Sequence, residues 1–111
     1  MPRPPRLSPD AVATALAELP LWSGDADGLR RSVELPSFRD AVAAIVAIAD
    51  VAEEMDHHPD VDLRYDHVDV RLASHDVGGL SLRDVNLARK ITQAARVLGA
   101  KADPDHEEDE S

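Results

Sequence analysis

Histidine is the side chain whose free pKa, ~6.5, lets it give or take a proton near neutral pH. The sequence holds five histidines, and three fall in two short stretches, DHHPDVDLRY (56–65) and ASHDVGG (73–79). Imidazoles gathered at one place suit general acid–base catalysis or metal ligation. Asp56 and Asp76 flank them and would orient or charge-stabilise a ring. The bland alternative is a His-His pair that interacts with the negative end of a helix dipole. A three-histidine zinc site is disfavoured, because adjacent histidines diverge and the helical HExxH spacing is absent. His67 reads as a turn residue and His106 as a solvated tail residue.

Whether the two stretches meet depends on the segment between them. VDLRY places Val61, Leu63 and Tyr65 on one face, and VDVRLAS does the same with Val68, Val70 and Leu72, each with the period of two of a strand. Asp66-His67 between them is enough for a tight turn, without the glycine that usually marks one, and a longer, bulged loop fits equally. The midpoint of positions 58 and 75 lies in that turn. An antiparallel hairpin folded there sets His58 opposite His75 at its open end, with His57 adjacent.

The remaining elements are read from caps and periodicity. Ser8 and Pro9 open a first helix with Val12, Leu16 and Leu19 on one face, and Pro20 stops it. Gly24, Asp25, Asp27 and Gly28 mark a turn after Trp22, which is more often core than a ligand platform. As the only tryptophan and next to that turn, it is also a candidate pocket residue. LRRSVEL alternates as a half-buried strand, Leu29, Arg31, Val33 and Leu35 pointing one way. Ser37 and Asp40 resemble a capping box for a second, Ala-rich helix. Phe38, Val42, Ile45, Ala49 and Ala52 line one face of it, with Ile48 beside them. The helix should end near Met55, because His58 precedes Pro59 and is pushed out of the α region. Val77-Gly78-Gly79 breaks the chain. Ser81 then caps a third helix, Asp84 at its third position, Leu80 and Val85 forming the staple, and Gly99 ending it. Val85, Ala88, Ile91, Ala95 and Leu98 are its apolar stripe. The result is an α+β fold with the helices on one face of a small antiparallel sheet.

Length and charge narrow the classes. The chain has 111 residues, enough for one domain with its own core, and no cysteine, which excludes disulfides and thiolate chemistry. No apolar run reaches a membrane span. MPRPPRLSPD lacks the apolar stretch of a secretory signal, so a cytoplasmic location is expected. Net charge is −10; the tail DPDHEEDES holds six acids, and without them 16 acids face 12 bases. The body is therefore only mildly acidic. Residues 101–111 read as an acidic disordered tail, 8–100 as the domain and 1–7 as a flexible lead. No basic stripe suggests a nucleic-acid partner.

Together these residues resemble the pterin-4a-carbinolamine dehydratases, also called 4a-hydroxytetrahydrobiopterin dehydratases. The matching features are Glu53 followed by His57-His58-Pro59, the strand ending at Tyr65, then Ser74-His75-Asp76, Gly78-Gly79 and Leu80-Ser81 with Asp84. The likeness runs over about residues 8 to 98 and includes LPLW near Leu19. It implies three helices packed on one face of a four-stranded antiparallel sheet, in the order α-β-β-α-β-β-α, and association into homodimers or homotetramers through sheet edges and helices. It implies dehydration of a 4a-hydroxytetrahydropterin to the quinonoid dihydropterin, as in tetrahydrobiopterin recycling, with neither metal nor cofactor. His57 and His75 are then the favoured acid–base pair, His58 the third member, and Asp84 their support. Segments 57–59 and 74–77, with Asp56 and Trp22, would contact the pterin. Ala73 stands where the family commonly has Ser or Thr. A non-catalytic dimerisation or coactivator module on the same scaffold, and an enzyme for another pterin-related metabolite, are the alternatives.

Overall fold

The computed structural model describes residues 4–101. The acidic tail beyond Lys101 lies outside the described residues. Eight elements follow one another: α1 (Pro9–Ala17), β1 (Ser23–Asp25), β2 (Gly28–Glu34), α2 (Phe38–Met55), β3 (Asp60–Arg64), β4 (His67–Leu72), a 3-10 turn (His75–Val77) and α3 (Leu82–Val97). The four strands form one antiparallel sheet in the order β1-β2-β4-β3. The α+β class, the three helices and the element order are those expected from the sequence.

Each helix starts where a hydroxyl can satisfy a free backbone N–H. Ser8 Oγ accepts from Ala11 N–H at 3.2 Å, ahead of Pro9. Ser37 Oγ accepts from Asp40 N–H at 3.1 Å and donates to Asp40 Oδ2 at 2.9 Å. At Ser81 the box is reciprocal, Asp84 Oδ2 accepting from Ser81 N–H at 3.0 Å.

β2 and β4 fill the centre of the sheet and supply Leu29, Val33, Val68, Val70 and Leu72 to the core. Leu80, Leu87, Ala88 and Ile91 meet them from the α3 side. Burying each of the larger of these side chains contributes about 1.5–3 kcal/mol. The opposite face of the sheet is wet: Arg30, Ser32, Asp62 and Arg71 are exposed.

Two details differ from the sequence expectation. α2 buries Ala41, Ala44, Ile48 and Ala52, whereas Phe38, Val42 and Val46 stay 49%, 39% and 57% exposed. Alanines on the inner stripe let α2 approach α3 and β4 closely, and the larger residues are rotated outward. The hairpin also turns one residue earlier. Arg64 pairs with His67 and Asp60 with Arg71, so Tyr65 and Asp66 are the turn residues. Tyr65 takes φ 55, a left-handed value, and its ring stacks on Phe38 at 6.4 Å.

Arg31 alternates inward with Leu29 and Val33, and it is only 8% exposed. Its Nη1 donates to Thr92 Oγ1 at 3.4 Å. The same oxygen accepts from Trp22 Nε1–H at 2.9 Å while its own proton goes to Ala88 O at 2.8 Å. Burial, with the Arg96 charge adding to it, holds the Arg31 pKa below the usual guanidinium value. Thr92 thus ties α3 to β2 and to the segment before β1. Thr92→Val keeps the shape but strands both donors, so urea unfolding should show a loss of about 1–3 kcal/mol with an unchanged m-value. Wild-type stability in this variant would mean that the hydroxyl holds neither donor.

Candidate active site

Two backbone devices carry the histidines. α2 ends in a Schellman motif: Asp56 sits in the left-handed region (φ 52, ψ 44), Asp56 N–H donates to Glu53 O at 3.2 Å, and His57 N–H donates to Ala52 O at 3.0 Å. The direction of His57 is therefore set by the last turn of the helix. Past β4, Ser74 and Gly79 form an isolated antiparallel bridge that pinches off the 3-10 turn bearing His75. Gly79 is required there, because a Cβ would lie 2.6 Å from Ala26 O. Gly78 supplies the left-handed φ of 70 that closes the turn.

The carboxylate of Asp84 joins the two. It is 0% exposed. Its Oδ1 accepts from His57 Nε2–H at 2.6 Å, and its Oδ2 accepts from Ser74 Oγ–H at 2.7 Å and from Ser81 N–H. Ser81 Oγ–H completes the set by donating to Ser74 Oγ at 2.8 Å. No buried side-chain nitrogen or oxygen among the described residues lacks a partner. An ionised carboxylate can only accept, so this contact calls for a proton on His57 Nε2, and in the neutral ring Nδ1 is then the acceptor. The His57 side chain is 10% exposed, enough for one edge to meet a ligand.

The other histidines are placed differently. His58 is exposed and donates Nε2–H to Glu53 Oε2 at 2.5 Å. His75 is exposed; its carbonyl accepts from Gly78 N–H at 3.2 Å, and its ring makes no hydrogen bond to the described residues. Because the hairpin turns at Tyr65-Asp66, its ladder continued outward would set His58 across from Ala73, not from His75. The link between the two stretches is instead Asp84, which holds Ser74, the neighbour of His75, and His57 together. Asp56 is exposed, and its carbonyl accepts from Arg83 Nη2 at 3.1 Å, so its backbone conformation and its carbonyl are what the fold uses. Pro59 and Val77 are half-buried, and Asp76 is exposed. Trp22 is in the core with its N–H taken by Thr92, and the network does not include it. His67 pairs with Asp66 at 2.7 Å, away from the other three. No three His, Asp or Glu side chains among the described residues form a metal-binding group.

Two participants were not singled out as site residues from the sequence. Glu53 orients His58, a partnership readable only once the helix end and its five-residue spacing are known. Ser81 signals only a cap in the sequence, and its hydroxyl also buttresses Ser74.

Two stability measurements check this geometry. Asp84→Asn replaces an acceptor with a donor facing Ser81 N–H or His57, and should cost about 1–3 kcal/mol in denaturant unfolding. Asp56→Gly removes a side chain from a left-handed residue. It should raise stability by about 0.4–1 kcal/mol and leave the His57 contacts in place. A loss of stability there would contradict the Schellman assignment.

Comparison with known proteins identifies the family. The family model described as pterin 4 alpha carbinolamine dehydratase matches residues 5–94. A Nocardia farcinica protein provisionally named pterin-4-alpha-carbinolamine dehydratase is 43% identical over 90 residues, spanning 81% of this chain and 95% of the relative. One from Mycolicibacterium smegmatis, with the same provisional name, is 45% identical over 87 residues, spanning 78% and 93%. The crystal structure of a transcriptional coactivator/pterin dehydratase from Brucella melitensis superposes with TM-score 0.78 at 33% identity, over 81% of this chain and 98% of that one. A pterin dehydratase-like protein identified as a RuBisCO assembly factor shares the fold at TM-score 0.56 and 20% identity, over 67% and 86%. The chain belongs to the pterin 4 alpha carbinolamine dehydratase family.

Proposed function

We propose that the protein is a 4a-hydroxytetrahydropterin dehydratase. The reaction removes the N5 proton, breaks the C4a–O bond and forms the C4a=N5 double bond of the quinonoid dihydropterin. The departing hydroxyl takes a proton and leaves as water. Such a step needs a base beside N5 and an acid beside the 4a-oxygen. In this reading His57 is the base: Asp84 fixes its proton on Nε2 and faces the positive charge that forms when Nδ1 takes the N5 proton. His75, exposed beside Ser74, gives the proton to the hydroxyl. His58, steadied by Glu53, is the third imidazole and a pterin contact. The observation that carries the reading is the buried Asp84 carboxylate, which binds His57 and Ser74 at once. The chemistry as written calls for no metal or cofactor.

The association expected of this family has a surface to use. Phe38, Val42 and Val46 run along the outer face of α2, and the 73%-exposed Tyr65 and Leu63 extend the patch toward the edge strand β3. A homodimer or homotetramer would cover it. The described helices include none long and apolar enough to cross a membrane.

The test is the rate of 4a-hydroxytetrahydropterin dehydration. Wild type should exceed the spontaneous rate, and His57→Ala or His75→Ala should each lose about 10²–10⁴-fold in kcat. Wild type that runs no faster than buffer would overturn the reading in favour of a non-catalytic module.

A further inference from the structure

On the wet face of the sheet, a pocket of about 510 Å³ lies at the end from which both histidine stretches leave. Gly28 and Ala73 line it, and so do two guanidinium-bearing residues, Arg30 and Arg71, with Asp60. Arg30 and Arg71 are register partners on neighbouring strands. Like charges set directly opposite each other are unfavourable unless something is held between them. Neither guanidinium forms an ion pair or a hydrogen bond with the described residues.

Three carboxylates, Asp25, Asp27 and Asp60, line the same pocket, and among the described residues none of them forms an ion pair with either arginine. Asp27 leans toward Arg6 at 3.6 Å, and Asp25 Oδ1 accepts from Asp27 N–H at 2.9 Å, so both serve the β1–β2 turn. Asp60 is the register partner of Arg71 on β3. The small residues at 28 and 73 leave room beside the arginines, and a serine or threonine at 73 would take part of it.

Two of the residues that line the pocket stand close in the chain to the histidines. Asp60 is two residues after His58, and Ala73 two before His75, a separation of about 7 Å in extended chain. A pterin reacting at C4a and N5 beside the histidines could extend its side chain into this space.

We infer that Arg30 and Arg71 bind an oxyanion on the side chain of the substrate, so that the protein acts on a pterin bearing a phosphate or carboxylate rather than a neutral side chain. This rests on the dehydratase reading for the reaction, and on the pocket alone for the anion. Two forked guanidiniums bind such groups bidentately, in a geometry that neutral hydroxyls do not exploit.

The experiment compares three 4a-hydroxytetrahydropterins, with a neutral, a carboxylate and a phosphomonoester side chain, on wild type and on the Arg30→Gln/Arg71→Gln double variant. Both arginines are exposed, so the variant should keep the fold. Wild type should favour one of the anionic substrates by about tenfold or more in kcat/KM, the better one naming the group. The double variant should lose that preference through KM and keep its rate on the neutral substrate. Equal kcat/KM for all three substrates, or a preference that survives in the variant, overturns the inference and leaves the dehydratase reading standing. If wild type accelerates none of them, that reading fails. Calorimetry with the phosphorylated and carboxylated dihydropterins then decides the anion site: binding lost in the double variant upholds it, and unchanged or absent binding overturns it.

Discussion

A carboxylate with no exposed surface is stable only if donors replace the water it has lost. Asp84 recovers its partners from three separate places: the end of α2 through His57, the loop after β4 through Ser74, and the start of its own helix through Ser81. His57 lies 27 residues from Asp84 in sequence, Ser74 10 and Ser81 3, so the carboxylate joins one distant segment to two nearby ones. The capping box places the carboxylate, since the same oxygen that accepts from Ser81 N–H also receives the Ser74 hydroxyl. A local helix-start signal thereby becomes the joint of the tertiary structure. One carboxylate stabilises α3 and orients an imidazole, so the two roles need not compete.

The sheet and α2 supply the two arms that reach this joint. The Schellman turn at Asp56 aims His57 toward α3, and Arg83 reinforces the approach by donating to the Asp56 carbonyl. The Ser74–Gly79 bridge turns the chain back under the start of α3. Glycine at 79 lets the backbone pass against Ala26, whose carbonyl also accepts from Leu80 N–H at 3.1 Å. Leu7 N–H in turn donates to Leu80 O, so the segment ahead of α1 is drawn into the same corner. His58 and His75 are held more loosely, at the surface, as befits groups that would meet a ligand.

Much of this was legible in the sequence, because its signals are local. Ser8-Pro9, Ser81 with Asp84, and Pro59 after two histidines each dictate a helix boundary through the needs of a few backbone groups. The strand alternation in β2 was equally plain, down to the inward place of Arg31. The rest depended on long-range geometry. In α2 two apolar stripes share helical spacing, and only packing against α3 and β4 selects the alanine stripe over Phe38 and Val42. The hairpin register moved because Tyr65 adopts a left-handed backbone that a non-glycine residue rarely takes. In that register His58 stands across from Ala73 and not from His75, yet Asp84 still joins the two stretches. Glu53 and the Arg30–Arg71 pair became visible only with the helix end and the strand pairing in place.

The central claim is that the buried Asp84 holds the His57 proton on Nε2 and leaves Nδ1 open as the acceptor. Long-range ¹H–¹⁵N correlation spectra of the histidine rings in the free protein read this directly. A single His57 tautomer protonated at Nε2 is expected, replaced by an exchanging mixture in Asp84→Ala. A His57 ring protonated at Nδ1, or one that exchanges between tautomers in the wild type, would contradict it.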